Sequence, residues 1–210
     1  MTYMPVVRLE DLGKAAVVAV LVAGVLCVSE AAWIHVKASI AQALIAAAWR
    51  RERAGSGNTR PWPWADTRPV AQLTVGEGAN REFIILEGSS GRNLAFGPTH
   101  DPASVPPGDP GNSVIAGHRD THFAVLRDIQ PGATLHVQTV ARGNFDFMVT
   151  DIRIVDSRRA RISLYAETPR LTLVTCYPFD AVVPGGPLRL IVTAERIGPQ
   201  SARRANAGSN

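Results

Sequence analysis

The chain begins with one long apolar stretch and then breaks into short alternating segments. Residues 15–28 read AAVVAVLVAGVLCV without a charge, and the run continues past Glu30 to residue 36, 22 residues with one acid. About 20 such residues span the hydrocarbon core of a bilayer as a helix. The pattern predicts a transmembrane anchor over 15–36, with Trp33 suited to the interface; basic residues flank both ends, so the charges do not set its orientation, and residues 1–14 are placed on the cytoplasmic side by the chemistry read below. A cleaved signal peptide has a shorter apolar region and a small-residue cleavage site, which Val28-Ser29-Glu30-Ala31-Ala32 matches poorly. A second helical pattern follows over 37–53, with Ile40, Leu44 and Ala47 or Ala48 at helical spacing. It is too short to cross a bilayer and ends in Arg50, Arg51 and Arg53, so 37–59 reads as a helical stalk or linker. Gly55-Ser56-Gly57-Asn58 supplies the break.

From residue 60 to 197 the period shortens. Strands are expected over 70–75, 83–87, 94–96, 113–116, 134–140, 146–155, 171–175 and 188–194. These segments are rich in Val, Ile, Leu and Thr and bounded by Gly, Pro, Asn and Asp. One short helix fits 122–128. Eight short strands without a fixed-period repeat or a long crossover helix predict a mostly β domain, a sandwich or a closed barrel, and argue against a parallel α/β sheet. The segment Arg60-Pro61-Trp62-Pro63-Trp64-Ala65-Asp66 is stiffened by proline and should pack on the domain edge. Residues 198–210 are small, polar and basic, and read as a disordered tail.

Composition narrows the classes. Of 210 residues, 46% are hydrophobic and 19% charged, which suits a folded core plus an apolar segment. The formal charge of +4 is scattered, with Arg203 and Arg204 in the tail, and no basic stripe interleaved with aromatics suggests nucleic acid. No acidic cluster argues for calcium. There are two cysteines. Cys27 lies in the apolar run and Cys176 far downstream, so the domain outside the membrane holds one thiol. Such a cysteine is either a reactive group or a buried small hydrophobe.

Three segments carry chemistry-bearing residues at predicted strand ends: Gly117-His118-Arg119-Asp120 after one strand, Thr175-Cys176-Tyr177 at the end of another, and Arg189 at the start of the last. Neighbouring strands would let the three ends converge. Thiol, imidazole and guanidinium together suit acyl transfer. A thiolate attacks a carbonyl to form a thioester. An imidazolium favours the thiolate and protonates the leaving amine. A guanidinium, always charged, binds substrate backbone or a developing oxyanion.

Thr172-Leu173-Val174-Thr175-Cys176 resembles the TLxTC signature of sortases. Gly117-His118-Arg119 resembles their histidine segment, and Arg189, thirteen residues after the cysteine, resembles their arginine. The stretches PWPWADTRPVAQL, LAFGPTH, AGHRDTHFAVL and TLVTCYPFD are similar to the sortases of Gram-negative bacteria, called marine or class GN. The resemblance covers roughly residues 60–197. It implies a closed eight-stranded β-barrel with short helices behind an N-terminal transmembrane helix. It implies cleavage of a C-terminal LPxTG-like sorting motif between Thr and Gly, with the thioester resolved by an amine. Cys176 is then the nucleophile, His118 the general acid and base, and Arg189 the oxyanion or substrate-positioning group. Thr175, Asp120 and Tyr177 are supporting candidates: Thr175 holding substrate, Asp120 orienting His118 or capping a turn, Tyr177-Pro178-Phe179 shaping the groove or ending the strand. The expected partners are a secreted protein bearing the sorting signal, an amine acceptor, and lipid around the anchor. The expected place is the bacterial inner membrane, with the catalytic domain on its outer, periplasmic side.

No cofactor and no metal is expected. His122 lies four residues after His118, but neither an HExxH nor a CxxC pattern accompanies it. His100 and His136 read as surface or turn residues. An L,D-transpeptidase would carry histidine and glycine just before the cysteine and arginine just after it, and Thr175-Cys176-Tyr177 has neither. A sortase-like protease that mainly hydrolyses and a catalytically inactive membrane-tethered binding module are the remaining alternatives.

Overall fold

The computed structural model describes residues 9–76, 81–183 and 185–198. The first eight residues of the expected cytoplasmic segment and tail residues 199–210 lie outside these. Helix α1 spans Leu9–Arg53 without interruption. By packing, the chain forms two units, one ending at Gln42 and the other beginning at Ala43.

Over residues 16–28 the helix carries no charge on any face. Val17, Val18, Val20, Leu21, Val22, Val25, Leu26 and Val28 are exposed. A helix of this kind is either buried in protein or solvated by lipid. Among the described residues it is one helix long and apolar enough to cross a membrane, over Ala16–Arg53. The Lys37 ammonium lies 5.5 Å over the Trp33 ring, a cation–π contact where the apolar run ends.

The second unit starts inside the helix. Ile45, Ala48 and Trp49 are buried, and Trp49 Nε1 donates to Gln72 Oε1 at 3.1 Å. The unit therefore begins well before residue 60, where the sequence pattern changes. The helix ends in a Schellman cap: Ser56 N–H donates to Arg51 O and Gly55 N–H to Glu52 O, with Gly55 at φ +87°. The Glu52 carboxylate then accepts from the Asn58 and Thr59 N–H groups at 3.2 and 2.8 Å, tying down the chain that leaves the helix.

Eight strands follow: β1 Pro69–Val75, β2 Glu82–Glu87, β3 Thr99–His100, β4 Gly111–Ala116, β5 Thr134–Thr139, β6 Gly143–Asp156, β7 Pro169–Cys176 and β8 Leu188–Ile197. They close into a barrel in the order β1-β2-β3-β4-β7-β8-β6-β5. The β5–β1 pair completes the ring. Most neighbours are antiparallel; β2–β3 and β4–β7 are parallel. Alternate residues point inward. Leu73, Ile85, Ile115, Leu135, Phe147, Leu171, Leu173 and Val192 fill the interior, with Phe123 and Leu126 from the 3-10 helix His122–Asp128.

Two expectations are corrected. The segment 94–96 is not a strand. Ser90 caps a short helix, α2 (Gly91–Leu94), by accepting from Asn93 N–H, and Leu94-Ala95-Phe96 forms its exit. The missing barrel strand is β3, two residues long and buried, too short to show alternation. His100 lies on that strand rather than in a surface turn; it is buried, with Nε2 2.9 Å from Val105 O. His136 is exposed as expected, but Nδ1 is 2.6 Å from Asp146 Oδ1 across the β5–β6 ladder. Of the two tryptophans in the proline-rich segment 60–66, Trp62 packs edge-on against Phe96, ring centroids 5.1 Å apart, whereas Trp64 is exposed.

Candidate active site

Strand β7 lies between β4 and β8, and its last residue is Cys176. Its inward face carries Leu171, Leu173 and Thr175, all buried. Cys176 therefore belongs to the outward face with Val174, Thr172 and Arg170. On one side, Cys176 is the cross-strand partner of Arg189. The adjacent pair is joined by Tyr177 N–H donating to Leu188 O at 3.0 Å, so Cys176 and Arg189 form a non-hydrogen-bonded pair. In such pairs the Cα atoms are about 4.5 Å apart and the side chains share a face.

On the other side, β4 runs parallel to β7, with Ala116 paired to Val174. Gly117 N–H continues the ladder by donating to Val174 O at 3.0 Å. Two residues past the last paired position in each strand come His118 and Cys176. The imidazole segment and the guanidinium strand thus flank the sulfur. His118 is exposed, Cys176 and Arg189 are half-buried, and both cysteines are free thiols. Arg189 Nη1 donates to the carbonyls of Gly186 and Leu188 at 2.6 and 2.8 Å, which holds the guanidinium at the mouth of the β7–β8 connection.

Gly117 shows why the turn after β4 takes this path. A Cβ there would lie 2.7 Å from the buried Phe123 ring. Phe123 N–H donates to His118 O at 2.9 Å, so the 3-10 helix folds back under the histidine. His122 is pushed below its ordinary value of 6.5, first by burial and then by the neighbouring His118. Its ring stands edge-on to Phe83 at 6.3 Å, and Thr121 Oγ1 lies 3.2 Å from its Nδ1.

The supporting candidates separate by location. The Thr175 hydroxyl donates to Gly117 O at 2.8 Å, on the core side of β7. It cross-links the two strands and does not point into the outward face. Asp120 accepts from Arg119 Nε at 3.1 Å. Tyr177 is half-buried and packs on the core, with Phe179 edge-on to it at 6.3 Å.

Further back along the same outward face of β7, at Arg170 and Thr172 and not reaching Cys176, His118 or Arg189, lies a groove of about 500 Å³. Thr172, Ile191, Thr193 and Glu195 form its floor, residues 160–163 of the β6–β7 connection one wall. Asn112 holds that wall: its N–H donates to Leu164 O at 3.0 Å, and Nδ2 to Ser163 O at 2.8 Å. Its Oδ1 accepts from the Thr172 hydroxyl at 2.8 Å. The connection opens with a turn at Asp156, whose carboxyl is held at about 2 by hydrogen bonds from the Arg158 side chain and N–H.

Sequence reasoning missed two residues here. Asn112 reads as a strand-bounding turn residue. Arg119 stands inside the histidine motif, yet its partners lie 59 and 62 positions away, at Pro178 and Ala181.

Closed barrel, strand-end cysteine and flanking histidine and arginine define one class of protein. The sortase domain model matches residues 76–197. The chain belongs to the sortase family, a family of cysteine transpeptidases. It is 34% identical to Sortase D of Bacillus subtilis (strain 168) over 119 residues, 56% of this chain and 59% of that protein. A Clostridium perfringens Sortase D5 transpeptidase superposes with a TM-score of 0.54 at 24% identity, covering 62% of this chain and 80% of the other. Sortase A from Corynebacterium diphtheriae superposes at 0.56 with 21% identity, covering 76% and 85%. At these identities the superpositions speak to the fold.

Proposed function

We propose that this chain is a membrane-anchored sortase that cleaves a C-terminal LPxTG-like sorting motif between Thr and Gly and transfers the acyl group to an amine. The observation that carries the reading is the placement of Cys176 between the His118 strand end and its cross-strand partner Arg189.

The Cys176 thiolate attacks the threonine carbonyl carbon, forming a C–S bond and an oxyanion. The Arg189 guanidinium stabilises that negative charge. As the intermediate collapses, the C–N bond to glycine breaks, and the His118 imidazolium gives its proton to the leaving amine. The thioester remains on Cys176. Neutral His118 then takes a proton from the incoming amine as it attacks, an amide forms, and the thiolate is released. The sorting peptide runs from Cys176 along the outward face of β7, past Val174, toward the separate groove at Thr172 and Thr193. Tyr177, next to Cys176, packs on the core beside the start of that path. Residues 15–36 form the anchor, 37–59 connect it, and 60–197 carry the chemistry outside the bacterial inner membrane, the substrate being a secreted protein.

The test uses the full chain in detergent with an LPxTG-type peptide, with and without an amine nucleophile. Expected are a covalent peptide adduct on Cys176 and an amine-joined product. A product unchanged by the amine identifies a hydrolase instead; no adduct and no cleavage would leave only a binding module.

A further inference from the structure

We infer that Arg119 is a positioning residue that fixes Cys176 and His118 to one another by clamping the start of the β7–β8 connection. The inference rests on the proposed roles of those two residues.

Arg119 is 8% exposed, although it directly follows the exposed His118. A guanidinium is costly to bury unless its donors are met. Here three acceptors meet them. Nη1 donates to Pro178 O at 2.5 Å, Nη2 to Ala181 O at 2.7 Å, and Nε to Asp120 Oδ1 at 3.1 Å. The two carbonyls belong to the loop that begins immediately after Cys176. The planar fork spans both at once, which a single ammonium does not do.

The site is therefore laced on two sides. On the core side, Thr175 Oγ1 donates to Gly117 O. On the far side, Arg119 holds Pro178 and Ala181. Each link joins a residue next to His118 to a residue close to Cys176, so sulfur and imidazole are framed by paired contacts before and after them. Arg127 adds a weaker third contact, 3.4 Å to Phe179 O and 5.5 Å over the Phe179 ring. Beyond Ala181 the loop changes character, for Val182 and Val183 are exposed. Asp120, 68% exposed at its side chain, supplies the counter-charge at the rim.

The test uses the full chain in detergent on a Cys27→Ser background, so that Cys176 is its one thiol. Measured are kcat and KM for peptide and amine, the iodoacetamide alkylation rate of Cys176, and the melting temperature. Arg119→Gln should lower kcat about 10²-fold while KM changes less than about threefold, because misplacement by about 1 Å has that effect on turnover. Cys176 alkylation should slow in parallel. Arg119→Lys, reaching one carbonyl, should recover part and remain about tenfold below the parent. Arg127→Gln should reduce kcat less than Arg119→Gln. A core variant such as Val137→Ala, matched in melting temperature, should keep its kcat. Parent-like kcat and alkylation in folded Arg119→Gln would overturn the inference, as would an equal kcat loss in the matched core variant. Where Arg119→Gln does not fold, Arg119→Lys decides: parent kcat overturns the clamp, and a roughly tenfold loss supports it. Cys176→Ala tests the underlying assignment separately, since activity in that variant removes the nucleophile whatever Arg119 does.

Discussion

Cys176 and Arg189 are direct cross-strand partners on the outward face of the β7–β8 ladder, and the next pair, Tyr177 and Leu188, is joined by a backbone hydrogen bond. The ladder sets their separation, so little side-chain searching is needed to bring guanidinium and sulfur to one substrate carbonyl. Arg189→Ala should lower kcat/KM by about 10²-fold or more, the usual size for a lost oxyanion donor. Arg189→Lys should restore little, because an ammonium lacks the planar fork. Steady-state kinetics with peptide and amine check both.

Cys176→Ala should form no thioester, and mass spectrometry of the protein after incubation with peptide should show no adduct. The change is small and half-buried, so the melting temperature should stay close to that of the parent. An adduct on the alanine variant would refute the nucleophile assignment.

Gly117→Ala should damage fold and chemistry together. The added methyl would stand 2.7 Å from the Phe123 ring, in the turn that leads into His118. Overpacking of this kind costs about 1–3 kcal/mol. The double variant Gly117→Ala, Phe123→Leu should lose less stability than the two single losses added, because the residues share one space. Denaturant melts of the four proteins measure the coupling.

His122 predicts a pH dependence of stability. Burial and the neighbouring His118 lower its folded value, whereas the unfolded chain titrates near 6.5. Below about 6.5 the unfolded state binds more protons than the folded state, so stability is full above that pH and falls as the pH drops toward the folded value. His122→Gln should flatten the melting temperature profile between about pH 5 and 7. An unchanged slope would place the titration on another group.

The end of α1 should behave as part of the barrel. Trp49→Ala removes a ring that is 4% exposed and donates to Gln72, and should cost about 3–5 kcal/mol. A truncated chain starting at Ala43 should melt well above one starting at residue 60.

Seven of the eight strands were legible because each is long enough to show a β-rich composition between turn residues. β3 was not: two residues carry no period, and Leu94-Ala95-Phe96 offered a more strand-like composition nearby. Gly55-Ser56-Gly57-Asn58 was legible as a break, though not as the helix cap it forms, and the pattern put the domain boundary after it. Ile45 and Trp49 are buried, and Trp49 bonds to Gln72 of β1, a long-range contact that local spacing does not reveal. The thiol, imidazole and guanidinium were named from residue type and motif, since chemistry of that kind belongs to side chains themselves.

Local pattern thus determined the apolar helix, the β character of the domain and the three candidate side chains, because composition and functional group are properties of short stretches. Barrel closure decided the rest. It set β4 and β8 on either side of β7, turned the Thr175 hydroxyl inward to Gly117, and brought Arg119 to carbonyls some sixty residues away. Such contacts arise from strand order and register, which exist only once distant segments pair.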